Sequence, residues 1–126
     1  MKYSLEFGGD PQDLTMTLTG AVDAAGIRAF VEELIAHPEY RAEMLILADL
    51  SGLNTSTITE EQYESVSDVI AGRDHRYPAK AIAIVAPGAR TFSDAMRHRA
   101  YVGGSKSQRE VFRTREDASA WLEQMR

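Results

Sequence analysis

Two stretches of this sequence concentrate side chains that could do chemistry. The first runs from Asp49 through Ser51 to Asn54-Thr55-Ser56-Thr57-Ile58-Thr59-Glu60, a carboxylate and a series of hydroxyls between an apolar run and the start of a helical pattern. Groups at the carboxyl ends of parallel strands line the ligand crevice of open α/β sheets, and the N–H groups opening a following helix favour anions. Asp49, Ser51, Thr57 and Thr59 are therefore candidates for contact with a ligand or partner, and Ser56 and Thr57 for phosphorylation. A phosphate there would bring about −1.5 to −2 charges beside Glu60 and Glu61, so that dipole attraction and carboxylate repulsion oppose each other. A plainer role is also open: Thr59 caps the helix, Asp49 accepts backbone N–H groups of a turn, and the other hydroxyls are loop polar groups.

The second stretch is Arg90 to Val102, where Phe92, Ala95 and Met96 are interspersed with Arg90, Arg97, His98 and Arg99 before Tyr101. As a helix it has a thin apolar stripe and a strongly basic outer face. Such a helix can pack on a core with its arginines solvated, gate an apolar pocket, or lie on an anionic membrane surface. Phe92, Met96, Arg97 and Tyr101 are its candidate contact residues.

Beyond these stretches the chemistry thins out. His37 precedes Pro38 at a helix end, and His75 falls in Arg73-Asp74-His75-Arg76-Tyr77, which reads as a loop before a strand. His98 follows Asp94 by four residues, so the two share a helix face; two ligands fall short of the three or four that zinc requires, and an exposed polar pair is expected. Gly103-Gly104-Ser105-Lys106-Ser107 lacks the first glycine and the Gly-Lys step of a P-loop and follows a helix rather than a strand. No Gly-x-Ser-x-Gly elbow or His-Glu-x-x-His motif occurs, and no general acid/base pair stands out. The absence of cysteine removes disulfides and thiolate chemistry and fits a reducing compartment. The expectation is a non-enzyme with no metal and no cofactor.

The elements that must position these residues follow from hydrophobic periodicity. Tyr3, Leu5 and Phe7, then Leu14, Met16 and Leu18, alternate with polar residues and predict an antiparallel hairpin turned by Gly8-Gly9-Asp10-Pro11. Asp23 suits an N-cap for a helix carrying Ile27, Phe30, Val31, Leu34 and Ile35 on one face, stopped by Pro38. Met44 to Ala48 and Ala81 to Ala86 read as strands covered on both faces, the first ending in Asp49-Leu50-Ser51-Gly52. Thr59 and Gln62 form a capping box before a helix with Tyr63, Val66 and Ile70 inward and Gly72 as its stop. A helix with Phe92, Ala95 and Met96 inward ends near Gly103-Gly104. Glu110 to Arg113 is a brief strand, and Thr114 opens a last helix whose Ala118, Trp121, Leu122 and Met125 face the core. The expected fold is α/β: one mixed, mostly parallel five-stranded sheet with about four helices in the order ββαβαβαβα, a single domain over residues 1–126.

Composition agrees with a globular domain: 44% apolar and 26% charged residues, and no apolar run near the roughly 20 residues a membrane helix needs. The N-terminus shows no apolar signal-peptide core, and a cytoplasmic location is expected. The net charge of −5 is unevenly spread, with residues 1–72 at −10, residues 73–115 at +7 and the remainder at −2. The basic segment could attract an acidic partner, or simply be solvated. Without an aromatic-rich basic stripe, nucleic-acid binding is not expected.

The element order, Met44-Leu45-Ile46-Leu47-Ala48-Asp49-Leu50-Ser51-Gly52, Ala81-Ile82-Ala83-Ile84-Val85-Ala86-Pro87 and the closing segment from Val111-Phe112-Arg113 to Ala120-Trp121-Leu122 together resemble the SpoIIAA-like proteins over nearly the whole chain. That family is related to the STAS domains of bacterial anti-sigma-factor antagonists and compared with the CRAL-TRIO lipid-binding fold. The resemblance implies a regulatory or protein-interaction module. In the antagonists a serine before the second helix, in an Asp-Ser-Ser-Gly-like sequence, is phosphorylated; this chain has Asn54 to Glu60 there instead, without that pattern. The leading expectation is thus a non-catalytic STAS-like module that binds an unknown protein partner and can form a homodimer. The alternative is a carrier or sensor of a small apolar or lipid-like molecule gated by the basic helix.

Overall fold

The computed structural model describes residues 1–102 and 106–126. The chain forms β1 (Lys2–Phe7), β2 (Leu14–Ala21), α1 (Ala24–Ala36), β3 (Leu45–Asn54), α2 (Glu60–Arg76), β4 (Ala81–Val85), α3 (Ala89–Tyr101), β5 (Gln108–Phe112) and α4 (Arg115–Gln124). The strands make one sheet in the order β1-β2-β3-β4-β5, with β1 antiparallel to β2 and all other pairs parallel. Element order, sheet type and helix number match the expectation from periodicity.

Because spatial order follows chain order, the three crossovers all step the same way across the sheet. Right-handed connections then put α1, α2 and α3 on one face. Leu14, Met16 and Leu18 of β2, Ile46 and Ala48 of β3, and Ile82 and Ile84 of β4 meet Ile27, Phe30, Val31 and Leu34 of α1, Val66 of α2 and Ala95 of α3 there. On the opposite face, Leu45, Leu47, Ala81, Ala83 and Val85 are covered by Ala118 and Leu122 of α4. Each fully buried Leu or Ile in these layers contributes about 1.5–3 kcal/mol. The helix starts are chemically determined: the Asp23 side chain accepts from the Gly26 N–H at 2.6 Å, and Thr59 and Gln62 form a reciprocal capping box at 3.2 Å in both directions.

Three boundaries differ from expectation. β3 does not end at Asp49; it outruns β4, whose last pairing is Val85 with Asp49, and continues against β2 through Gly52, Leu53 and Asn54 after an irregularity between Thr17 and Thr19. Gly52 permits this, since a Cβ there would lie 2.9 Å from the Thr19 methyl. The stop assigned to Gly72 also fails. α2 runs one turn further, so Arg73-Asp74-His75-Arg76 is helix rather than loop; the Tyr77 N–H donates to the Arg73 carbonyl, and Pro78 has no N–H to continue. The third difference is the strand read from Glu110 to Arg113, which begins at Gln108 and ends at Phe112. The Gly103-Gly104 end assigned to the third helix, and Ser105 of the segment after it, lie outside the described residues.

Candidate functional site

The sequence-derived candidates do not form one site. Asp49 faces the α4 side, where its Oδ1 accepts from the Ser51 N–H (2.9 Å) and hydroxyl (2.6 Å) and its Oδ2 lies 3.6 Å from Arg115 at the start of α4. Asn54 likewise accepts from the N–H and hydroxyl of exposed Ser56, at 2.9 and 2.6 Å. Ser56 and Thr57 are both exposed before the α2 cap at Thr59.

The register of α3 differs from the reading of its apolar stripe. Phe92 is only partly buried and lies under the Arg113 guanidinium, 4.1 Å from its ring centre, while Met96 and Tyr101 are exposed. Arg97 pairs with Glu60 and covers the Tyr63 ring at 4.2 Å; the Tyr101 hydroxyl donates to Asp68 at 2.8 Å. The inward face is instead Thr91, Asp94, Ala95 and His98, at spacings of three, one and three residues that align them on one side of a helix. Asp94 and His98 are therefore not an exposed pair. Asp94 accepts from the hydroxyl of buried Thr55 at 2.5 Å and from Arg90 at 3.2 Å, and Thr91 donates to the Leu53 carbonyl at 3.2 Å.

This inner face is small and polar, so it does not fill the space over the sheet. A cavity of about 120 Å³ remains between the sheet, α1, α2 and α3, walled by residues such as Leu18, Ile27, Leu53, Tyr63, Ile70 and His98. The Tyr63 ring is buried, and burial pushes its phenol pKa upward; Ser67 lies near enough to the hydroxyl to offset this in part, as does Arg97, yet no hydrogen bond of normal geometry is completed among the described residues. A second hollow of about 90 Å³ shares Leu18, Ile27, Leu50, Ile70, Ile84 and His98 with the first and reaches Arg73 and Arg109.

Those two arginines belong to a buried ionic cluster that sequence reasoning missed. Asp74 holds Arg73 through Oδ1 (2.9 Å to Nη2, 3.2 Å to Nε) and Arg109 of β5 through Oδ2, with the side chains 4%, 1% and 4% exposed for Arg73, Asp74 and Arg109. Burial lowers the Arg109 pKa against the pull of Asp74, and burial raises that of Tyr40 beside it. His98 is lowered to about 4, by burial first and then by Arg109 and Arg73. Its Nδ1 lies 3.1 Å from the hydroxyl of fully buried Ser67. This serine–histidine contact looks like a nucleophile and base, but an imidazole beside two guanidiniums is held neutral, the opposite of what a general base needs as it gains a proton. Among the described residues no three metal-ligating side chains converge, and no helix is long and apolar enough to cross a membrane.

No protein-family model and no curated protein matches the chain. Among solved structures it is similar to an uncharacterized protein from the DUF3478 family with a SpoIIAA-like fold, from Shewanella loihica, at 18% identity, with 96% of this chain and 92% of that chain covered and a TM-score of 0.59. The chain therefore has a SpoIIAA-like fold, as the strand and closing-helix motifs led us to expect. At that identity the likeness speaks for the fold alone.

Proposed function

We propose that the chain is a non-catalytic binding module that takes a small, mostly apolar molecule into the cavity beneath α3. The observation that carries this reading is the cavity itself: its walls are apolar, and among the residues lining it is Tyr63, whose buried hydroxyl completes no hydrogen bond within the described residues. Ligand sites of this kind combine apolar walls with a few convergent polar groups. The attachment of α3 supports a gating role. Its ties to α2 include Arg97 with Glu60 and Tyr101 with Asp68, polar contacts on exposed side chains, and exposed ion pairs are worth about 0–1 kcal/mol each. Lifting α3 would also break the Thr55–Asp94, Thr91–Leu53 and Ser67–His98 contacts, none of which belongs to the hydrogen-bond ladder of the sheet. Native mass spectrometry of freshly purified protein tests the reading: a bound mass lost on denaturation supports it, whereas a clean apo mass together with no xenon uptake at the Tyr63 cavity sinks it.

A second reading, a protein-interaction module in the manner of STAS domains, draws on the outer face of α3. Met96 and Tyr101 are the large apolar side chains that stand exposed among the described residues, and both lie on this helix beside Arg97. The two readings join if ligand occupancy sets the position of that face. The cytoplasmic location, the homodimer and phosphorylation at Ser56 or Thr57 remain parts of this proposal; intact mass and sedimentation of the native protein address the last two.

A further inference from the structure

We infer that β1 is the contact strand of a symmetric homodimer, pairing antiparallel with β1 of a second copy about Ser4. This assigns a surface to the homodimer proposed above and does not draw on the cavity. Three observations converge. First, β1 closes one end of the sheet and pairs on one side only, with β2. Such an edge presents a row of backbone N–H and C=O groups that a further strand can meet. The strand runs six residues, with neither proline nor a register break against β2 to blunt it. The other edge differs: on β5, the Arg99 guanidinium donates to the Arg109 carbonyl at 2.9 Å and to Glu110 at 2.7 Å.

Second, the apolar row of β1 is unfinished. Tyr3 meets Phe30 of α1 edge-on at 5.1 Å between ring centres, and Phe7 stacks on His37 at 4.3 Å, yet Tyr3, Leu5 and Phe7 stay half-buried. A strand laid alongside covers their open flank. Third, the opposite row is complementary to itself. Lys2, Ser4 and Glu6 are exposed, and the ion pairs of the described residues involve neither Lys2 nor Glu6. In antiparallel pairing about Ser4, Lys2 of each copy faces Glu6 of the other, and Tyr3 faces Leu5. Opposite charges across strands favour a pair and like charges oppose it, which sets register and orientation. A surface that matches itself in this way is what a two-fold dimer requires.

Sedimentation equilibrium of the full chain at low ionic strength, where surface charges are least screened, tests this. The unaltered chain is expected to dimerise with a dissociation constant on the order of 10 µM, in keeping with a contact of one strand and few side chains. Lys2→Glu and Glu6→Lys each set like charges face to face and should weaken the dimer at least about tenfold. Both positions are exposed, and far-UV circular dichroism should match that of the unaltered chain. Mixed in equal amounts, the two variants regain both opposite-charge pairs and should form a dimer holding one chain of each. A dimer that neither reversal weakens, or a mixture that stays monomeric, would overturn this surface and leave a homodimer to be formed elsewhere. An unaltered chain that is monomeric at roughly 100 µM would remove the homodimer as well.

Discussion

Arg109 on β5 and Asp74 in the last turn of α2 form an ion pair across 35 residues of chain, with both side chains sealed from water. Asp74 also holds Arg73, so one carboxylate contacts two buried guanidiniums. Breaking such a pair from one side leaves the remaining charge desolvated and costs about 3–5 kcal/mol. Asp74→Asn should therefore lower the unfolding free energy by that order, with urea as the denaturant and the m-value unchanged. A loss under 1 kcal/mol would mean that Asp74 is not what keeps the two guanidiniums buried.

His98 makes stability pH-dependent in a defined window. The folded chain keeps this imidazole neutral down to about pH 4, whereas an unfolded histidine protonates near 6.5. Between those values the unfolded chain binds more protons, so stability is fully present above about pH 6.5 and is lost as pH falls toward 4, by about 3 kcal/mol at most. Denaturation midpoints measured from pH 7.5 to 4.5 should not run parallel: as pH falls, the unaltered chain should lose up to about 3 kcal/mol more than His98→Gln, whose side chain does not titrate. Parallel curves would place the imidazole in water.

Much of the architecture was legible in the residues, and the exceptions have physical causes. Asp23, Thr59 and Gln62 announced their helices because capping is local chemistry, and the apolar runs of β3 and β4 needed no partner to be read. Gly72 misled because glycine favours helix ends, yet Arg73 and Tyr77 continue the spacing of Tyr63, Val66 and Ile70, a signal that treating arginine as solvent-facing obscured. Arg109 shares its strand face with Val111 by simple alternation, but its burial depends on Asp74, which lies far away in the chain. In α3 the large apolar residues were assigned inward, whereas the inner face is built from Thr91, Ala95 and a neutral His98, residues whose burial no periodicity rule ranks highly. The cavity follows from that small inner face and so was invisible before the helix was placed.

The Gly52–Thr19 contact offers a prediction confined to the backbone. A Cβ at residue 52 would meet the Thr19 methyl at 2.9 Å, well inside ordinary contact, in the segment where β3 outruns β4. Gly52→Ala should destabilise by about 1–3 kcal/mol, the usual cost of forcing an extra carbon into packed structure. Thr19→Ser removes the offending methyl, so the double variant should recover most of the loss. A thermal-melt cycle showing simple additivity would mean that the two residues do not touch as described.

Tyr63→Phe separates stability from binding at the same position. The ring contacts, with Arg97 4.2 Å from its centre and Tyr101 edge-on at 6.5 Å between ring centres, persist in phenylalanine. What disappears is a buried hydroxyl that completes no hydrogen bond among the described residues, a group whose desolvation costs about 1–3 kcal/mol. The variant should therefore unfold at least as late as the unaltered chain in the absence of ligand, with a gain of about 1 kcal/mol. If the hydroxyl exists to meet a ligand oxygen, the same change should weaken that binding even as the empty protein becomes firmer. Opposite signs in a thermal melt and a binding titration are the signature of a residue retained for its ligand; a loss of stability without ligand would show that the hydroxyl is already satisfied within the fold.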